Sequence, residues 1–196
     1  RSLLADLPVE VVGPDDIWRS PPQVVEDGAT FVENATKKAR ALALASTILD
    51  LADDSGLEVD ALGGSPGVRS ARYAREGATD AENRTALLSA LDSVSLDDPI
   101  SIRNISASDF ASKSGGAFTA RFRCALVLVD PFADNAVQVA DGTCEGSIVR
   151  TARGAGGFGY DPIFAIENSD RTMAELSAEE KNRISHRGRA LVAMRP

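Results

Sequence analysis

Short apolar runs, punctuated by Gly, Pro, Asp and Ser, divide this 196-residue chain into candidate elements. Val9-Glu10-Val11-Val12 predicts a short strand ended by Gly13-Pro14, and the acid- and proline-rich stretch 13–28 predicts a loop. Thr30-Phe31-Val32-Glu33 has the spacing of a capping box, which satisfies free N–H groups at a helix start. A helix is expected from there through the Ala/Leu/Lys-rich sequence to about Ser46. Ile48-Leu49-Asp50-Leu51-Ala52 predicts a buried strand that runs into Asp53-Asp54-Ser55-Gly56, and Leu57 to Leu62 predicts a second. Gly63-Gly64-Ser65-Pro66-Gly67 predicts a turn, and a second capping box at Thr79-Asp80-Ala81-Glu82 opens a helix to about Leu91.

Residues 93–118, rich in Ser, Asp and Gly, read as a flexible insertion. Beyond it the pattern turns to strand. Ala120 to Val129 carries β-branched and aromatic residues, and Asp130 to Asn135 separates it from a strand near Ala136–Ala140, which predicts an antiparallel hairpin. Ser147 to Thr151 and Pro162 to Ile166 predict two more short strands. A third capping box, Ser177-Ala178-Glu179-Glu180, opens helical sequence to Met194. Helices at both ends with strands between them predict an α/β or mixed α+β fold with mixed strand directions, in one domain over 1–196 without internal repeats.

Composition narrows the functional classes. A hydrophobic fraction of 43% and a charged fraction of 26% are those of a soluble globular protein. The formal charge of −8 argues against nucleic acid as a partner, because phosphate-backbone binding draws on a basic surface. A small phosphate ligand stays open, since a bound divalent cation changes the local charge. Cys124 and Cys144 have no CxxC spacing and no nearby histidine, and are expected as reduced, buried thiols of a cytoplasmic protein. No apolar run is long enough to cross a membrane, and no signal segment opens the chain. Arg1-Ser2-Leu3-Leu4-Ala5 reads as the end of a helix, so the chain is expected to be a piece of a longer one.

Four segments can carry chemistry. Asp53-Asp54-Ser55-Gly56 follows an apolar strand, and adjacent carboxylates either stay solvated, as in a surface turn, or share a hard cation such as Mg²⁺. Gly154 to Asp161 is a glycine-rich turn in which Phe158 and Tyr160 could stack on a planar base, a contact of about 1–3 kcal/mol. Its spacing matches neither a P-loop nor a dinucleotide fingerprint. Lys181, with the sole histidine His186 and Arg187, can share a ligand only if the helix breaks near Ile184 with Ser185 capping a new one; otherwise the histidine is structural. Lys38, with Glu33 and Glu26, is otherwise a solvated helix face and an acidic loop.

Taken together the segments resemble the inosine/xanthosine triphosphate pyrophosphatase family. The match is carried by Phe31-Val32-Glu33-Asn34-Ala35 with Lys38-Ala39, by Ala52 to Leu57, and by Leu62-Gly63-Gly64 with Pro66-Gly67. Ser70-Ala71-Arg72-Tyr73, Gly156 to Phe164, and Glu180-Lys181 with Ile184-Ser185-His186-Arg187-Gly188 complete it, in order over residues 9–194. The resemblance implies an elongated central mixed β-sheet flanked by helices, in two lobes with the active site in the cleft between them. It also implies Mg²⁺-dependent hydrolysis of ITP, dITP or XTP to the monophosphate and pyrophosphate, in a cytoplasmic homodimer. Asp54 matches the proton acceptor and, with Glu26, the metal site; Ser55 and Lys38 match substrate and phosphate contacts. Phe158 matches a base-stacking residue, with Gly159, Tyr160 and Asp161 beside it, and Lys181, His186 and Arg187 match the base-recognition set. The family's first strand and its Thr/Ser-x-Asn-x-x-Lys phosphate loop are expected upstream of Arg1. Two other readings are a pyrophosphatase for modified pyrimidine nucleotides, against which His186 and Arg187 speak, and a nucleotide-binding protein without catalysis.

Overall fold

The hairpin predicted around residue 132 organises the chain. The structure, a computed structural model, describes residues 4–5, 7–94 and 118–195; the predicted insertion over 93–118 falls mostly outside the described residues. Strands β1 (Asp50–Val59), β2 (Phe118–Asp130), β3 (Ala136–Ile148) and β4 (Phe164–Ile166) form one sheet in the order β1-β2-β3-β4. Helices α1 (Pro14–Ile17), α2 (Phe31–Ser46), α3 (Asp80–Asp92), α4 (Ala178–Ile184) and α5 (His186–Met194) accompany it. The α+β class with helices flanking a central sheet is found. Every described strand pairing is antiparallel, however, where mixed directions were expected.

Four local expectations change. Asp53-Asp54-Ser55-Gly56 does not follow a strand but lies inside one, because each residue from Asp50 to Val59 has a partner in β2, from Val129 back to Ala120. The paired ladder overrides the turn preference of Asp, Ser and Gly. The strand expected over Leu57 to Leu62 is the second half of β1, which ends in a 3-10 turn at Asp60–Leu62. Val9 to Val12 forms no strand, and the 13–28 loop contains α1, whose Pro14 starts the turn while the Asp16 carboxylate accepts from the Gly13 N–H at 2.8 Å.

Strand alternation gives the sheet two faces. On one, Ala52, Val127 and Val129 pack against Ala35, Ala39 and Ala43, a stripe of small side chains spaced four residues apart that lets α2 lie close. Thr30 caps α2 by accepting from the Glu33 N–H, while the Glu33 carboxylate accepts from Ala29 rather than closing the box on Thr30. The Thr79 and Ser177 boxes are complete.

On the other face, Leu57, Val59, Phe118, Phe122, Ile148 and Phe164 meet Leu87 and Leu91 of α3 in the main core. Each such buried side chain contributes about 1.5–3 kcal/mol of apolar transfer energy. Farther along that face, Cys124 and Leu126 meet Ala190 of α5. Gly142 permits that contact, since a Cβ there would fall 2.0 Å from the His186 carbonyl oxygen. Both cysteines are free and buried, as expected, and burial pushes the Cys124 thiol up to about 11.

Candidate active site

Because consecutive side chains of β1 point to opposite faces, Asp53 and Asp54 do not share a cation. Asp54 is 9% exposed and turns toward α2. There Lys38 Nζ lies 3.1 Å from its Oδ1, and Asn34 Nδ2 donates to its Oδ2 at 3.1 Å. Asn34 and Lys38 are one helical turn apart and so present both donors from one face. Lys38 Nζ also lies 3.2 Å from Glu26 Oε2, so Glu26 and Asp54 converge on one positive charge. The acidic loop is tied in place twice. Gly28 N–H donates to Asn34 Oδ1 at 2.7 Å, and Arg72 Nη2 donates to the Glu26 carbonyl at 2.7 Å.

Burial raises the Asp54 carboxyl above the ordinary range, against the opposing pull of Lys38 and of the Asn34 hydrogen bond. Among the described residues no three His, Cys, Asp or Glu side chains gather as a metal cage. Two carboxylates around a cation still suit Mg²⁺, which keeps several waters and takes further oxygens from a phosphate substrate. Glu26 and Asp54 therefore fit that ion.

On the opposite face, Asp53 Oδ2 accepts from Arg187 Nε at 2.8 Å and from Ser55 Oγ at 2.9 Å. Burial alone would raise the Asp53 carboxyl. The charge and hydrogen bond of Arg187, with help from Ser55 and Lys38, outweigh it and hold the group below the ordinary range. Neighbouring carboxylates thus have affinities for protons pushed in opposite directions, the mark of two separate roles.

Arg187 reaches this place because the C-terminal helical sequence breaks where the spacing required. Ser185 ends α4 and caps α5, its Oγ accepting from the Gly188 N–H at 3.2 Å. The Arg187 guanidinium lies 5.1 Å from the centre of the Phe158 ring, which is 61% exposed. Lys181 donates to Asp161 Oδ2 at 2.6 Å, and the Phe158 N–H reaches the same oxygen at 3.1 Å. Gly157, at φ +78°, makes room for this pair: a Cβ would fall 2.0 Å from Asp161 Oδ2 and 2.4 Å from Lys181 Nζ.

His186 lies nearby but inward, stacked on Phe122 at 4.9 Å and 7% exposed, with Nδ1 unpartnered. Burial, aided by Arg187 and Lys181, lowers the imidazole to about 3, so it is neutral near pH 7. Tyr160 is turned into the core and does not lie open beside Phe158; its hydroxyl donates to the Ser70 carbonyl at 3.0 Å. Ser55 stands on the Arg187 side of β1, away from Lys38.

Gly159 is held through its own backbone by Asp80 and Arg84. Neither residue was suggested by sequence, and their partners lie 79 and 75 positions away. Asn34 carried a signal, its place one turn before Lys38. Arg72 carried none beyond its membership of the Ser70–Tyr73 motif. A cavity of about 600 Å³ lies apart from these groups, lined by Phe31, Glu58, Pro66, Arg69, Arg123 and Asp141 among others.

The comparisons agree with one another. The dITP/XTP pyrophosphatase of Desulforamulus reducens is 47% identical over 169 residues, covering 86% of this chain and 74% of that protein. The dITP/XTP pyrophosphatase of Geobacter sulfurreducens is 42% identical over 194 residues, covering 99% and 86%. Among solved structures, a HAM1 protein from Coxiella burnetii matches with a TM-score of 0.79 at 41% identity, covering 97% of this chain and 86% of that one. The nucleoside-triphosphatase / dITP/XTP pyrophosphatase of Mycobacterium abscessus matches with a TM-score of 0.66 at 40% identity, covering 95% and 84%. A model of the Ham1 family matches residues 1–196, and with these relatives beside it the chain belongs to the Ham1 family.

Proposed function

We propose that this protein hydrolyses non-standard purine nucleoside triphosphates of the dITP, ITP and XTP type to the monophosphate and pyrophosphate. The observation that carries the reading is the division of labour at β1. Asp54, Glu26 and Lys38 form a charged cluster suited to a metal-bound triphosphate, while Phe158 and Arg187 offer a stacking surface and a fixed cation behind it. The names carried by relatives such as those of D. reducens and G. sulfurreducens point to the same substrates.

In this reading Asp54 accepts the proton of the attacking water. A carboxyl raised by burial is a better base near neutral pH than an ordinary one. Asn34 holds one of its oxygens, which leaves the carboxylate aimed rather than free to rotate. Lys38 offsets negative charge on the phosphates, and Glu26 and Asp54 would hold Mg²⁺. When bound, that ion lowers the pKa of water and neutralises phosphate charge. Ser55 and Asp53 keep Arg187 over the Phe158 ring, Lys181 and Arg187 face the base with neutral His186 set inward beside them, and Gly159, Tyr160 and Asp161 shape the turn.

Donors suit the O6 acceptor of hypoxanthine or xanthine. Adenine presents an amino group there and leaves donors unpaired, a mismatch that can discriminate by about 10⁴-fold. The same reading carries a homodimer and a cytoplasmic location, the latter supported by two free buried thiols. Among the described residues no helix is long and apolar enough to cross a membrane.

The test is product analysis with inosine triphosphate and Mg²⁺. Pyrophosphate and inosine monophosphate are expected, with adenosine triphosphate turned over far more slowly. Release of orthophosphate, or equal rates on both nucleotides, would overturn the assignment.

A further inference from the structure

Asp80 and Arg84 stand one turn apart on α3 and reach a single residue of the glycine-rich turn. Asp80 Oδ2 accepts from the Gly159 N–H at 2.6 Å, and Arg84 Nη1 donates to the Gly159 carbonyl at 2.6 Å. The preceding residue is held as firmly, since the Phe158 N–H donates to Asp161 Oδ2 and the Asp161 N–H donates to the Phe158 carbonyl, both at 3.1 Å. All four backbone polar groups of Phe158-Gly159 are therefore bonded. Yet the Phe158 ring is 61% exposed and buries little of itself. A large aromatic side chain on a backbone so fully pinned pays little ordering cost when a flat ligand settles on it.

Helix α3 is also anchored to the metal side. Asn83, on the same helix, is 2% exposed; its Nδ2 donates to the Ala71 carbonyl at 3.0 Å and its Oδ1 accepts from the Ala74 N–H at 2.9 Å. Between those two points lies Arg72, which holds the Glu26 carbonyl. One helix thus braces both ends of the proposed site.

We infer that Asp80 and Arg84 are positioning residues that clamp the Gly159 peptide and so preset the Phe158 ring for a purine base. The inference rests on reading Phe158 as the base platform. A purely helical role for Asp80, at the positive N-terminus of α3, needs no contact with Gly159 and leaves Arg84 unexplained.

The experiment uses the whole chain with Asp80→Ala, Arg84→Ala and Asp80→Asn, which keeps an acceptor oxygen. Hydrogen exchange over residues 154–161 is measured without ligand, and calorimetry measures binding of inosine monophosphate and, separately, of pyrophosphate with Mg²⁺. In the two alanine variants exchange accelerates and inosine monophosphate weakens by about tenfold, while pyrophosphate changes by less than about twofold; Asp80→Asn stays near the parent. Unchanged exchange in both alanine variants, or equal weakening of both ligands, overturns the clamp. If the parent binds pyrophosphate but not inosine monophosphate, the base platform itself is wrong and the inference falls with it, even where exchange shows the clamp to exist.

Discussion

Asp53 and Asp54 are adjacent in the chain and face opposite ways, the first 2.8 Å from Arg187 and the second 3.1 Å from Lys38. The pair gives a direct contrast. Asp54→Asn removes the proposed proton acceptor and is expected to lower kcat on inosine triphosphate by at least about 10². Asp53→Asn leaves Arg187 without its anion and is expected to raise KM by about tenfold with kcat little changed. Steady-state kinetics on both variants check this; matching kcat losses would mean that the two carboxylates act as one unit.

Asn34 is fully buried and joins Gly28 to Asp54. Asn34→Leu leaves the Gly28 N–H and one Asp54 oxygen without their partner and is expected to cost about 1–3 kcal/mol for each group so stranded. Chemical denaturation measures the loss. A variant as stable as the parent would show that the acidic loop is held by Arg72 alone.

The sole histidine offers a clean titration. Its folded-state imidazole is lowered to about 3, against about 6.5 in an unfolded chain. Below pH 6.5 the unfolded state takes up the proton and the folded state does not, so this group withdraws stability as pH falls from about 6.5 toward 3, by up to about 1.4 kcal/mol per pH unit. The ring proton resonance of His186 is expected to stay flat from pH 5 to 8 in native protein and to titrate normally in denaturant. A native midpoint near 6 would place the ring in water.

Gly157→Ala puts a side chain where φ is +78° and where Asp161 meets Lys181. The backbone conformation alone costs about 1–2 kcal/mol. Thermal melts are expected to shift down accordingly, and inosine monophosphate binding is expected to weaken with them. Unchanged values in both would show that the turn relaxes freely.

Elements with a local chemical signature were legible from sequence. Thr79 and Ser177 announce their helices because a cap is read within four residues, and a break near Ile184 with Ser185 capping a new helix was expected if Lys181, His186 and Arg187 share a ligand; the structure has that break. Asp53 to Gly56 misled, because these residue types suit turns and only the distant partners Leu126 to Arg123 draw them into a strand. That same pairing decides that Ser55 sides with Arg187 and not with Lys38. Asp80 and Arg84 were out of reach for a related reason, since their target is a peptide group, and every residue carries one.

Among the described strands β1 stands at one end of the order β1-β2-β3-β4, and the two halves of the proposed site lie on its opposite faces. On the proposed reading one ligand meets Lys38 on one face of β1 and the Arg187–Phe158 pair on the other, which makes β1 a ruler. On that reading a monophosphate or free pyrophosphate engages one side only, so cutting the chain between base and phosphates releases each half from the grip of the other.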